Sequence, residues 1–134
     1  MAFDSFFLSN LVNEFNYTII DCRVVKIHQS DHNTLIIRFH GKSGNYRLMI
    51  SANPQSARLY LTEAQNENPS VPPIFCMVLR KYLEGARLLS VEQTPYERVL
   101  RLDFLIHNDL GDEDYCSLIV EIMGKHSNVI LVDN

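Results

Sequence analysis

The sequence predicts an α+β domain: a mostly antiparallel β-sheet or sandwich carrying two helices. Three observations predict it. Two stretches repeat their apolar residues at helical spacing, one at the start and one near the middle. Eight further runs are rich in β-formers and bounded by Gly, Pro, Asn or Asp. The order of these runs lacks the βαβ alternation of a parallel nucleotide-binding sheet.

The first helix is expected over residues 4–16. Phe3, Phe7, Leu8, Leu11, Val12 and Phe15 fall on one face, and Asp4 or Ser5 can cap the first free N–H groups. Its polar face holds no Lys or Arg, so it reads as a helix lying on a sheet rather than on a membrane. Period-two runs follow at 22–29 and 34–40, separated by Asp31-His32-Asn33. Gly41-Lys42-Ser43-Gly44 turns the chain into 45–51, Asn53-Pro54 breaks that run, and 58–62 is a short fourth strand. The first half thus reads as an antiparallel meander behind one helix.

A polar loop over 63–74 ends in Pro69-Ser70-Val71-Pro72-Pro73. The second helix is expected over 74–84, with Pro73 in its first turn and Gly85 just past its end. Phe75, Met77, Val78, Leu79 and Leu83 cover much of its surface, which predicts a well-buried helix. Strands return at 87–93, 98–106, 115–122 and 128–132. Pro95, an acidic loop over 108–114 and the turn Gly124-Lys125-His126-Ser127 separate them.

Composition bounds the function. A chain of 134 residues with 46% hydrophobic and 21% charged residues fits one folded domain. The net charge of −4 argues against a generally basic nucleic-acid binder, although twelve Lys and Arg can be unevenly placed. Cys22, Cys76 and Cys116 are odd in number, widely spaced and set among apolar neighbours. They read as reduced core residues of a reducing compartment. No run approaches the roughly 18–20 apolar residues of a membrane span. The strand 128–132 runs almost to the last residue, which suggests that residues 1–134 are a fragment of a longer protein.

Motifs for phosphate loops, dinucleotides, zinc peptidases and serine hydrolases are absent. His28, His32 and His40 are close in sequence but lack Cys or carboxylate partners at ligand spacing, so no metal or cofactor is expected. Three clusters remain, each with a bland reading and a functional one. Arg80-Lys81 with Glu84 is either a helix-surface ion pair or a phosphate contact, since arginine offers a bidentate fork. Tyr96-Glu97-Arg98 is either a solvated turn or an exposed aromatic and acid–base pair able to read a nucleotide. Met123-Gly124-Lys125-His126-Ser127-Asn128 is either a polar β-turn or an anion-holding concavity.

Together these clusters resemble the amino-terminal domain of the NFACT family, whose bacterial members are known as RqcH or FbpA-type fibronectin-binding proteins and whose eukaryotic members include NEMF. The resemblance runs from Met1-Ala2-Phe3-Asp4 through Asn45-Tyr46-Arg47-Leu48-Met49-Ile50-Ser51-Ala52-Asn53-Pro54. It is dense from Pro72-Pro73-Ile74-Phe75-Cys76 to Leu83-Glu84-Gly85, with Glu67-Asn68-Pro69 ahead of it. It closes on Glu121-Ile122-Met123-Gly124-Lys125-His126-Ser127-Asn128-Val129-Ile130-Leu131-Val132-Asp133.

The resemblance implies a non-enzymatic module of a ribosome-associated quality-control factor. Such factors bind obstructed large ribosomal subunits and, in bacteria, recruit alanyl-tRNA for template-free alanine tailing. It implies a cytoplasmic protein, with large ribosomal subunit and tRNA as partners and no membrane insertion. The family's older name adds fibronectin binding, which would require a non-classical presence at the cell surface.

The family's acid–arginine pair, tied to tRNA recruitment, falls on Glu97-Arg98, with Glu where the family usually has Asp. Arg80, Lys81, Lys125 and His126 become candidate phosphate contacts. Asn53 stands where many relatives have His. The fold implied is similar to the amino-terminal domain of formamidopyrimidine-DNA glycosylases. Their amino-terminal proline nucleophile and following glutamate are missing from Met1-Ala2-Phe3.

Overall fold

The structure is a computed structural model, and it describes residues 5–53, 57–63, 68–95, 97–122 and 128–133. The expected positions Phe3, Asp4, Pro54, Glu67, Tyr96 and residues 123–127 lie outside the described residues. Helix α1 spans Ser5–Thr18, and strands β1 to β4 follow as Arg23–Asp31, Thr34–Gly41, Gly44–Ser51 and Arg58–Thr62. Helix α2 spans Ile74–Leu83, and β5 to β8 are Arg87–Gln93, Val99–His107, Glu113–Glu121 and Asn128–Asp133.

All eight strands join one antiparallel sheet in the order β4-β3-β2-β1-β5-β6-β7-β8. It consists of two four-stranded meanders, joined between β1 and β5 by a short ladder around Arg23 and Arg87 in which the N–H groups of Asp21, Val24, Gly85 and Leu88 donate across the seam. Of the two expected forms, hydrogen bonding therefore gives one continuous sheet. The halves nevertheless bury a common core. Ile37, Leu48 and Ile50 of the first half belong to the same buried cluster as Leu102, Phe104 and Leu118 of the second.

Helix α1 packs on β5 and seals this core with Leu8 and Phe15, joined by Ile19 just past its end, all three fully buried. It runs two residues past the expected end, where the Thr18 hydroxyl donates to the Glu14 carbonyl at 2.8 Å. Phe7, expected on the buried face, is 38% exposed at the rim.

Helix α2 departs further from expectation. It buries Cys76, Leu79 and Leu83, but Ile74, Met77, Val78 and Tyr82 form an exposed stripe. Apolar residues round most of a helix did not mean burial round most of it. Only one side meets β1 and β6. Pro73 sits one position before the helix, as its N-cap residue. Gly85 stands just past the helix end as expected, at a positive φ of +86°, and its N–H donates to the Val24 carbonyl at 2.8 Å.

The acidic loop is shorter than expected because Glu113 and Asp114 pair with His107 and Ile106 in the ladder. Asn108 templates the remaining turn. Its Oδ1 accepts from the N–H groups of Leu110 and Asp112 at 2.9 and 3.0 Å, while Gly111 adopts φ +84°.

Candidate functional site

The Arg80 and Glu84 side chains meet β1 rather than each other. Beyond Val24, β1 diverges from β5 and would leave the Ile27 backbone groups unpaired on that side. Helix α2 supplies the partners. Arg80 Nε donates to the Ile27 carbonyl at 2.7 Å, and Glu84 Oε2 accepts from the Ile27 N–H at 3.3 Å. Cys76 Sγ also approaches that carbonyl, at 3.6 Å. Glu84 pairs with Lys26 Nζ at 3.8 Å, so the expected Arg80–Glu84 pair is replaced by one across the α2–β1 seam. Lys81 is exposed, its Nζ 5.4 Å from the centroid of the Tyr82 ring.

Glu97 and Arg98 occupy the turn between β5 and β6. The turn is closed by Thr94 N–H to the Val99 carbonyl and Glu97 N–H to the Thr94 carbonyl, both 3.0 Å. Gln93 Nε2 donates to the Glu97 carbonyl at 2.7 Å, which leaves the Glu97 side chain exposed at the tip and Arg98 partly buried behind it. The Arg98 carbonyl accepts from the Ile122 N–H at 2.9 Å. Lys125 and His126 themselves lie outside the described residues.

Sequence reasoning missed a further group. Lys26, Arg38 and Arg47 stand in one transverse register row across β1, β2 and β3, which continues to Thr62 on β4. Arg38 lies between the core residues Ile37 and Phe39, so it points away from the core. Directly paired residues share a face, which places Lys26 and Arg47 beside it. The next row on this face is His28, Ile36, Met49 and Tyr60. Burial lowers the His28 pKa from its ordinary 6.5, and the positive field of Arg80, Arg38, Lys26 and Arg47 lowers it further.

The signal for part of this row was present in the sequence. Arg38 and Arg47 lie at equal distances from the two-residue loop Lys42-Ser43, so hairpin pairing sets them opposite each other. Lys26 joins only because β1 carries a bulge between Val24 and Lys26. A recess of about 410 Å³ adjoins the row and is lined by Arg38, His40, Tyr46, Arg47, Thr62 and Glu63, among others.

The second half of the sheet carries a polar knot. Asp103 accepts from Ser117 Oγ at 2.5 Å, Arg101 Nε at 2.7 Å and Ser90 Oγ at 3.1 Å. Burial works to raise its pKa, but these hydrogen bonds prevail and hold it below the ordinary 3.8. All three thiols are buried, and burial pushes each above its ordinary value, Cys116 to about 11. Such thiols are poor nucleophiles. The three early histidines are not brought together: His28 pairs with Ile36, His40 with Arg23, and His32 lies in the turn between β1 and β2. Among the described residues no group of three or more His, Cys, Asp or Glu is placed to hold a metal, and no helix is long and apolar enough to cross a membrane.

The arrangement defines a class first: an antiparallel domain whose distinctive polar features, among the described residues, are turns and a cationic sheet face. The sequence matches the NFACT N-terminal and middle domains over residues 4–134, and the chain belongs to that family. It is 41% identical over 133 residues to the Rqc2 homologue RqcH of Streptococcus pneumoniae strain D39, covering 99% of this chain and 24% of that protein. RqcH of Bacillus subtilis strain 168 is also 41% identical over 133 residues, with 99% and 23% covered. The solved N-terminal domain of the fibronectin-binding protein PavA from S. pneumoniae superposes with a TM-score of 0.96 at 41% identity, over 99% of this chain and 50% of that one. The chain thus spans about a quarter of the length of these curated relatives.

Proposed function

We propose that this domain is the amino-terminal module of a ribosome-associated quality-control factor. In this reading it helps the factor bind obstructed large ribosomal subunits and recruit alanyl-tRNA for alanine tailing in the cytoplasm. It acts by binding and positioning, not as an enzyme. The observation that carries the reading is the placement of Glu97-Arg98 on an exposed hairpin turn, in a chain 41% identical to RqcH proteins. A guanidinium beside a carboxylate at a tip can grip a phosphate while the acid orients it or reads a base edge. Glu97 adds a methylene to the family's usual Asp, so its carboxylate reaches further from the turn.

The test is Arg98→Ala in the full-length protein. Alanine tailing is expected to be abolished while the melting temperature stays within a few degrees. Normal tailing by a folded Arg98→Ala protein would falsify the assignment. The likeness to formamidopyrimidine-DNA glycosylase domains belongs to this proposal as a statement about fold only, since fold does not fix function.

A second reading, binding of fibronectin at the cell surface, is supported by the name of the PavA structure. Fractionation of intact cells discriminates. Protein at the surface without leakage of a cytoplasmic marker supports adhesion, and its absence there removes that reading.

A further inference from the structure

We propose that the outer face of β1–β3, built on the row Lys26–Arg38–Arg47, binds the sugar-phosphate backbone of RNA at a site distinct from Glu97-Arg98. The inference rests on the quality-control reading for its choice of RNA, and on the structure for its choice of face.

The row is an unfavourable arrangement for a free protein. Lys26 is directly opposite Arg38, and Arg38 is directly opposite Arg47. Like charges so placed destabilise a sheet. Their backbones are about 5 Å apart, the ordinary spacing of antiparallel pairs. Among the described residues little offsets the repulsion. Lys26 has a partly exposed pairing with Glu84 at 3.8 Å, which contributes little. Arg47 Nη1 donates to the Glu63 carbonyl, a neutral acceptor, at 3.3 Å. Arg38 is exposed and makes no hydrogen bond or ion pair among the described residues.

A regularly charged anion supplies what is missing. A row of positive charges at near-constant spacing complements a row of phosphates, and arginine forks match phosphate oxygens two at a time. Arg80 adds to the same field from α2, since it acts on His28 together with the three row cations. Rings flank the row: His28 and Tyr60 stand at the two ends of the next register row. Cations that track a backbone beside rings that accept bases are the general recipe for single-stranded nucleic acid. The chain carries a net charge of −4, so this concentration of positive charge is local.

The test uses the 134-residue chain and a fluorescein-labelled 20-nucleotide oligouridylate, with anisotropy read from 50 to 300 mM KCl. Arg38→Gln/Arg47→Gln removes two contacts at about 0.7 each, so the log–log salt slope is expected to fall by roughly 1.4, an affinity loss on the order of 25-fold at 0.1 M salt. Arg38→Lys/Arg47→Lys is expected to keep the slope. Lys42→Gln/Arg87→Gln, which removes two charges outside the row, is expected to lose less than about three-fold. If the Arg47 change unfolds the chain, Arg38→Gln alone should lower the slope by roughly 0.7.

An unchanged slope in the row variants, an equal loss in the off-row variant, or no binding by the unaltered chain at 50 mM salt overturns the inference. None of these outcomes bears on Arg98, which is read by tailing. Normal tailing by Arg98→Ala, in turn, leaves the slope measurement standing.

Discussion

Replacing Gly41 by alanine tests the packing of the first meander at a single atom. Gly41 ends β2, and Arg23 pairs with His40, so Cys22 is the next residue opposite Gly41. A Cβ built on Gly41 collides with Cys22 Sγ. The sulfur cannot step aside easily, because Cys22 is 3% exposed and part of the buried core. Overpacking of this kind costs about 1–3 kcal/mol. The backbone itself would tolerate alanine, since Gly41 is not among the positive-φ glycines. That tolerance should return about 0.4–1 kcal/mol through the unfolded chain.

Cys22→Ala alone removes a small buried group and should cost roughly 1 kcal/mol. In the double variant the collision is gone, so its loss should be no more than that of Cys22→Ala. The coupling should therefore be favourable by about 1–3 kcal/mol, well above the roughly 0.5 kcal/mol within which independent sites add. Urea unfolding read by far-UV circular dichroism suits a chain without tryptophan. Additive losses would refute the reasoning.

Two titrations follow from the charged clusters. Asp103 has a folded pKa below 3.8, so its contribution to stability is present above that value and is lost as pH falls through the folded one. Asp103→Ala removes the acceptor of three hydrogen bonds and should cost about 1–3 kcal/mol at pH 7. Urea midpoints should show the gap to the unaltered chain narrowing toward pH 3, and a constant gap would contradict this. His28 titrates below 6.5 because burial and the cations Arg80, Arg38, Lys26 and Arg47 surround it. Between its folded pKa and 6.5 the unfolded chain holds more protons, so stability should decline as pH falls through that window. Arg38→Gln should move the His28 value upward in an NMR titration, and a value at or above 6.5 in the unaltered chain would refute the placement.

Much of the fold was legible because its signals are local. Two-residue loops such as Lys42-Ser43 lie between runs of Val, Ile and Leu, and both helices begin and end within a few residues of expectation. Burial was less legible. Helix α2 has enough apolar residues to look enclosed, yet its exposed stripe at Ile74, Met77, Val78 and Tyr82 depends on which side the sheet offers, a tertiary fact. Arg80 shows the same limit. Its i+4 spacing from Glu84 favours a helix-surface pair, and the unpaired Ile27 backbone outcompetes it. The turn position of Glu97-Arg98 was readable from Pro95, whereas the cation row needed the β1 bulge, which no residue type announces.

The two candidate surfaces belong to different halves of the sheet, and that separation has a measurable consequence. The row lies on β1–β3, while Glu97 and Arg98 lie between β5 and β6. The halves are joined by a short backbone ladder around Arg23 and Arg87 and share one core, but neither substituted side chain lies in that seam, so each change should leave the other half in place. Any coupling between them must then pass through a ligand that touches both. Arg38→Gln and Arg98→Ala should give additive losses with short oligouridylate, which cannot occupy both sites as one fixed body. With intact tRNA, a single folded molecule seated on both sites should show coupling above about 0.5 kcal/mol. Coupling with the short strand would mean that the halves communicate through the core, and it would undo the claim that these surfaces are structurally independent.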